Sequence, residues 1–142
     1  MQVKVRLVAD VNPTEDTGKV QNAILNLVGV GAVVENRVEA GRLTLVCEGE
    51  GLENLRRLRS VLESQRIRDA SRMVFDRSVR GDRITVAFNR QAALAGKVSF
   101  SESPGDSALG PIWVEIETDD PYELIDWLAP PPGKRRLRAQ ST

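Results

Sequence analysis

Residues 65–100 read QRIRDASRMVFDRSVRGDRITVAFNRQAALAGKVSF, and this stretch decides the fold because its apolar period changes partway along. Ile67, Ala70, Met73 and Val74 recur at helical spacing, whereas Ile84, Val86 and Phe88 alternate as a strand does. A helix followed by a strand is therefore predicted, with Arg80-Gly81-Asp82 as helix stop and turn. Asn89 then caps a short helix over Arg90 to Ala95, which Gly96 ends. The same stretch is basic, and a merely sticky cationic run would show charge without periodicity.

Upstream, Leu52, Leu55, Leu58 and Leu62 mark one face of a helix, with Arg56, Arg57 and Arg59 projecting off it. Whether the helical pattern beyond Ser64 is a new helix or follows a kink is left open by spacing alone. Two Val-rich extended runs, 32–38 and 42–48, are joined by Glu39-Ala40-Gly41, a hairpin signal. Cys47 falls in phase with Leu43 and Leu45 and is read as a buried structural thiol. Val3, Val5 and Leu7 alternate with Lys4 and Arg6 as a first strand. Asn12-Pro13-Thr14-Glu15 reads as a capping box opening a helix that carries Val20, Ile24, Leu27 and Val28 and ends at Gly29 and Gly31. That Gly-Val-Gly follows a helix, not a strand, so it is no dinucleotide loop.

Downstream, SESPGDS at 101–107 has loop composition. Ile112, Val114 and Ile116 form one face of a last strand and Trp113, Glu115 and Glu117 the other. Asp119 and Asp120 resemble a carboxylate pair, but Asp120-Pro121-Tyr122-Glu123 is a capping box with proline at the first helical position. Leu124, Ile125 and Leu128 follow on that final helix, with Trp127 beside them and Pro130 to Pro132 stopping it. One domain over 1–129 is expected, and a basic, disordered tail over 130–142.

Composition excludes several chemistries. The chain has 142 residues, no histidine and one cysteine, so an internal disulfide and the usual zinc, copper and haem ligand sets are out. Ser-His and Cys-His nucleophiles go with them, and no cofactor is expected. No apolar run reaches membrane-spanning length and the N-terminus lacks a signal peptide, giving the expectation of a cytoplasmic protein with no membrane partner.

A net charge of zero hides strong segregation. Residues 52–100 carry eleven basic and five acidic groups, while 101–133 carry eight acidic groups and no basic one. Asp69 and Arg72, Arg72 and Asp76, and Asp76 and Arg80 are spaced for intrahelical pairs, each worth only about 0.2–0.5 kcal/mol. From Arg56 to Arg83, nine arginines face four carboxylates, so local pairing leaves a cationic surplus. Ten arginines to one lysine in the basic region suits bidentate phosphate contacts.

Three segments together carry a resemblance: VNPTED before a helix, QRIRDASR with NRQAALAGKVSF, and LGPIWVEIETDDPYELIDWLAP. They resemble an archaeal family of uncharacterised cytosolic proteins described as RNA-binding, and the match spans residue 1 to about 129. Family members look like the 5S rRNA-binding ribosomal protein in fold, and a related branch is described as predicted exosome subunits. The resemblance implies an α+β fold, a mixed, mostly antiparallel sheet with helices packed on one face, and a homodimer. It carries no catalytic residue across. Arg68 and Ser71 depart from the family, whose members often have an aliphatic residue and a small residue or Thr there, as does the basic tail.

The reading that follows is a non-catalytic protein binding structured RNA, ribosomal RNA among the candidates, through an arginine-rich helical face. Its residues are Arg56, Arg57, Arg59, Arg66, Arg68, Arg72, Arg77 and Arg80, with Arg90 and Lys97 at the edge. Aromatics are scarce there, and Trp113 and Trp127 lie in the acidic segment, so phosphate and shape contacts fit better than base stacking. The first alternative is a homodimeric assembly protein whose arginines pair with the acidic segment of a partner copy. The second is a nucleotide or RNA enzyme using Glu115 and Glu117.

Overall fold

In the computed structural model, residues 1–29, 32–101 and 110–132 are described. Gly31, most of the 101–107 loop and the 133–142 tail lie outside them. The elements run β1 (Val3–Val11), α1 (Thr17–Val28), β2 (Val34–Glu39), β3 (Arg42–Glu50), a 3-10 turn (Leu52–Leu55), α2 (Arg56–Ser64) and α3 (Arg68–Arg77). Then come β4 (Val79–Arg80), β5 (Arg83–Asn89), α4 (Arg90–Leu94), β6 (Pro111–Thr118) and α5 (Pro121–Leu128).

Six strands form one sheet in the order β2-β3-β1-β6-β5-β4, and every pairing is antiparallel. The fold is α+β, as the resemblance implies, and the sheet is fully antiparallel, not mixed. Period-two alternation puts Val3, Val5, Leu7, Ile84, Val86, Phe88, Ile112, Val114 and Ile116 on one face, all buried. Helical residues Ile24, Leu58, Leu62, Phe75, Leu124 and Leu128 close over that face in a single core. α1 to α5 cover this side, and among the described residues the other face is free of helix.

Several elements follow their local signals. Asn89 Oδ1 accepts from Ala92 N at 2.9 Å and opens α4. Asp120 Oδ1 accepts from Glu123 N at 3.1 Å and opens α5, with Pro121 at the first helical position. The neighbouring Asp119 accepts instead from the backbone of Gln2, a bond that lowers its pKa below the ordinary aspartate range. Cys47 is buried beside Leu45, and loss of hydration raises its thiol pKa. The β2–β3 turn places Ala40 and Gly41 at φ of 52° and 77°, the left-handed pair that two-residue hairpins favour.

Two boundaries differ from the sequence reading, and the one that spacing leaves open, past Ser64, is a new helix. The first helix starts at Thr17 with Asp16 as its cap, bonded to Gly18 N and Lys19 N. Asn12-Glu15 keeps the capping-box contact, Asn12 N to Glu15 Oε1, but as a turn ahead of the helix. The chain does not continue as one helix past Ser64. It reverses at Arg66, whose φ of 59° accompanies bonds from Arg66 N to Glu63 O and Ile67 N to Leu62 O, so α3 is a new helix. Finally, α3 stops at Arg77, and Gly81-Asp82 form the tight turn of the β4–β5 hairpin instead of ending the helix.

Ser71 is wholly buried on α3, and its Oγ is the one buried side-chain polar atom among the described residues without a hydrogen-bond partner. Ser71→Ala is therefore expected to leave stability unchanged or raise it by about 1 kcal/mol, read from the urea midpoint. A loss above that range would mean that the hydroxyl has a partner.

Candidate nucleic-acid interface

The ten cations named from the sequence separate into two populations. Arg90 is not at an edge of any surface: it is 4% exposed. Its Nη1 reaches Glu15 Oε1 at 2.7 Å and Asp10 O at 2.8 Å, Nε reaches Gly110 O at 2.8 Å, and Nη2 reaches Pro111 O at 3.1 Å. One guanidinium thus joins the end of β1, the turn before α1, the start of α4 and the start of β6. Burial and these bonds withhold the guanidinium from a phosphate, which corrects the sequence reading of this residue.

Arg59 and Arg72 are half-buried against α5. Arg59 Nε donates to Trp127 O at 2.9 Å with its guanidinium 5.0 Å from the Trp127 ring centroid. Arg72 donates to Ala129 O at 3.2 Å and pairs with Asp126 at 2.5 Å. A helix leaves its last carbonyls without intrahelical partners and carries negative potential at that end, so two arginines at the C-terminus of α5 satisfy both needs. The intrahelical pairs of Arg72 expected from spacing give way to this interhelical one. Arg68 is half-buried and approaches Glu63 at 4.0 Å.

The second population is exposed. The side chains of Arg56, Arg57, Arg66 and Lys97 have no hydrogen bond or ion pair among the described residues, and those of Arg77 and Arg80 bond only backbone carbonyls. Arg66 and Lys97 flank a clasp in which the Gln65 amide pairs with both backbone groups of Val98, at 3.0 and 2.7 Å. That clasp brings the α2–α3 corner and the segment after α4 together, so these two cations share one region.

On the helix-free face, Glu115 and Glu117 both engage Arg83, the second at 3.7 Å. Lys4, Arg6, Glu48 and Glu50 surround them in a shallow cleft of about 440 Å³. Its charges are interleaved and largely cancel. Among the described residues, no three His, Cys, Asp or Glu side chains converge as a metal site. No helix there is long and apolar enough to cross a membrane. Arg42, exposed at the start of β3, and Trp113, 42% exposed on β6, also stand on this face, and the sequence reading gave neither a binding role.

Arginine-bearing helices on one side of an antiparallel sheet define a two-layer α+β protein with a cationic outer layer. The chain belongs to the family whose model is described as RNA binding, matched over residues 4–118. It is 39% identical over 136 residues to a UPF0201 protein of Aeropyrum pernix, covering 95% of this chain and 90% of that one. A UPF0201 protein of Pyrobaculum neutrophilum is 41% identical over 130 residues, covering 90% of each. The crystal structure of the UPF0201 protein from Methanococcus jannaschii matches with a TM-score of 0.77 at 30% identity, over 90% of this chain and 93% of that chain.

Proposed function

We propose that the protein binds structured RNA without catalysing its reaction, through Arg56, Arg57, Arg66, Arg77, Arg80 and Lys97 on and beside the α2–α3 layer. The observation that carries this reading is a surplus of exposed cations with no carboxylate partner in a chain of the RNA-binding family. A protein that needed these charges only for its own fold would pair them, as it pairs Arg72 and Arg90. Phosphates would supply the missing anions, with guanidinium forks giving two-pronged contacts. Such contacts read shape and backbone more than base identity.

Cation–phosphate binding releases counterions, so affinity should fall steeply with salt. The test is fluorescence anisotropy with a hairpin RNA at about 50 and about 200 mM salt, on the intact chain and on Arg57→Glu/Arg66→Glu. Both residues are exposed, so the variant should keep its circular dichroism. It is expected to weaken binding and to flatten the log–log salt slope by about two, one unit per lost phosphate contact. An unchanged slope and affinity would remove the helical face from this role.

In the assembly alternative, reversing Arg72 would dissociate a dimer. Arg72 engages Asp126 and Ala129 of its own chain, so its reversal reports first on the docking of α5. The enzyme alternative rests on Glu115 and Glu117, both of which pair with the one guanidinium of Arg83.

A further inference from the structure

The helix-free face carries one apolar row among rows of charge. Successive pairings align Val46 with Val8, Val8 with Trp113 and Trp113 with Ala87, across β3, β1, β6 and β5. Flanking it, Glu48, Arg6, Glu115 and Thr85 form the next row, and Glu50, Lys4, Glu117 and Arg83 the one beyond. Directly opposed side chains in such rows lie about 5 Å apart. Val46 and Ala87 are buried and Val8 is half-buried, so Trp113 is the exposed member of the row.

Trp113 also forms a wall shared by two clefts. One, of about 470 Å³, is lined by Arg77, Thr85, Ala87 and Ser101 at the edge of β5. The other, of about 520 Å³, is lined by Asp10, Asn12, Arg42 and Gly110. Each holds one exposed arginine whose side chain has no carboxylate partner among the described residues: that of Arg77 bonds only Met73 O, and that of Arg42 has no hydrogen bond or ion pair. Nearby carboxylates are engaged, Glu115 with Arg83, Glu48 with Arg6 and Arg37, and Asp10 with the Thr44 hydroxyl. Around this indole, the described residues form an aromatic surface between two cations that have no carboxylate partner among them.

We propose that this face binds an unpaired nucleotide segment, one base stacking on Trp113 with flanking phosphates held by Arg42 and Arg77. Stacking suits any base because every base has a π-face, and cations along the backbone path supply the rest of the affinity. The four strands from β3 to β5 span three strand spacings, about 14 Å, which leaves room for a short run of nucleotides across the row. This site runs from the outer face of the sheet around the β5 edge to the end of α3, so it shares Arg77 with the helical surface but none of Arg56, Arg57, Arg66 or Lys97. It rests on the RNA-binding reading only for its ligand class.

The experiment uses a short single-stranded RNA and a matched duplex with the full chain. In a Trp127→Phe background the remaining tryptophan emission comes from Trp113. Saturable quenching by the single strand and not by the duplex is expected. By anisotropy, Trp113→Ala should weaken single-strand binding about tenfold or more and leave duplex binding unchanged, while Trp113→Phe, which keeps a ring, should recover part of the loss. Arg42→Ala should weaken single-strand binding and flatten its salt dependence. Single-strand affinity indifferent to Trp113→Ala, or the absence of single-strand binding at about 50 mM salt, would overturn the proposal. The Arg57→Glu/Arg66→Glu variant separates the two faces: if it loses duplex binding and keeps the quench, the sites are independent, as proposed. If it loses both signals while its fold is intact, the single strand binds on the helical side and this proposal fails.

Discussion

Arg90→Met is expected to cost about 3–5 kcal/mol of stability, because it leaves the Glu15 carboxylate buried without a counter-charge and strips three backbone carbonyls of their donor. Glu15 and Arg90 are almost fully buried, so neither water nor salt can replace the lost partner. For a chain of this size the loss corresponds to a drop in Tm of about 10–17 °C. The diagnostic variant is Glu15→Gln/Arg90→Met. Neutralising the stranded carboxylate should recover part of the stability, since the desolvated charge, more than the missing attraction, carries the penalty. Denaturant titrations of the two single variants and the double variant measure this directly. Equal losses for Arg90→Met with and without Glu15→Gln would mean that the four-way tie acts through its carbonyl bonds alone.

Phe75→Ala is expected to cost a similar amount, about 3–5 kcal/mol, for a different reason. Phe75 has no exposed surface, and its ring meets Phe100 edge-on with centroids 5.6 Å apart, while Phe100 lies 5.0 Å from Phe88. Truncation removes the contact that seats α3 on β5 and opens a cavity that three packed rings cannot collapse to fill. Phe75→Leu should recover more than half of the loss. Thermal unfolding followed by circular dichroism checks both, and a loss below about 1 kcal/mol would show that α3 is held mainly by the α5 contacts of Arg72.

The main strands and the caps of α4 and α5 were legible because their causes are local. Alternation at Val3-Val5-Leu7 and at Ile112-Val114-Ile116 needs only the pleat, and Asn89 and Asp120 cap through bonds spanning three residues. The destinations of the arginines were not legible, because they depend on partners far away in sequence. Arg59 finds Trp127 O 68 residues on, and Arg72 finds Ala129 O 57 residues on. Arg90 meets Glu15 across 75 residues. One signal for Arg90 was present: it continues the inward phase of Ile84, Val86 and Phe88, so its burial could have been read from the strand. Trp113 was misjudged for the opposite reason. Its sequence neighbours are acidic, but its neighbours across the sheet are Val8 and Ala87, and sequence adjacency says nothing of a row that crosses four strands.

The strand order has a consequence for how the molecule is made. The two central strands are the first and the last in the chain, and Val3 pairs with Thr118. The β2–β3 and β4–β5 hairpins can close as soon as each is synthesised, whereas β1 has one long side without a partner until β6 has left the ribosome. Contacts this distant in sequence slow folding, because the chain must lose loop entropy before they form. For most of its synthesis the nascent chain therefore presents an open strand edge. The charges of Lys4 and Arg6 along that strand guard it against joining the same edge of a neighbouring nascent chain.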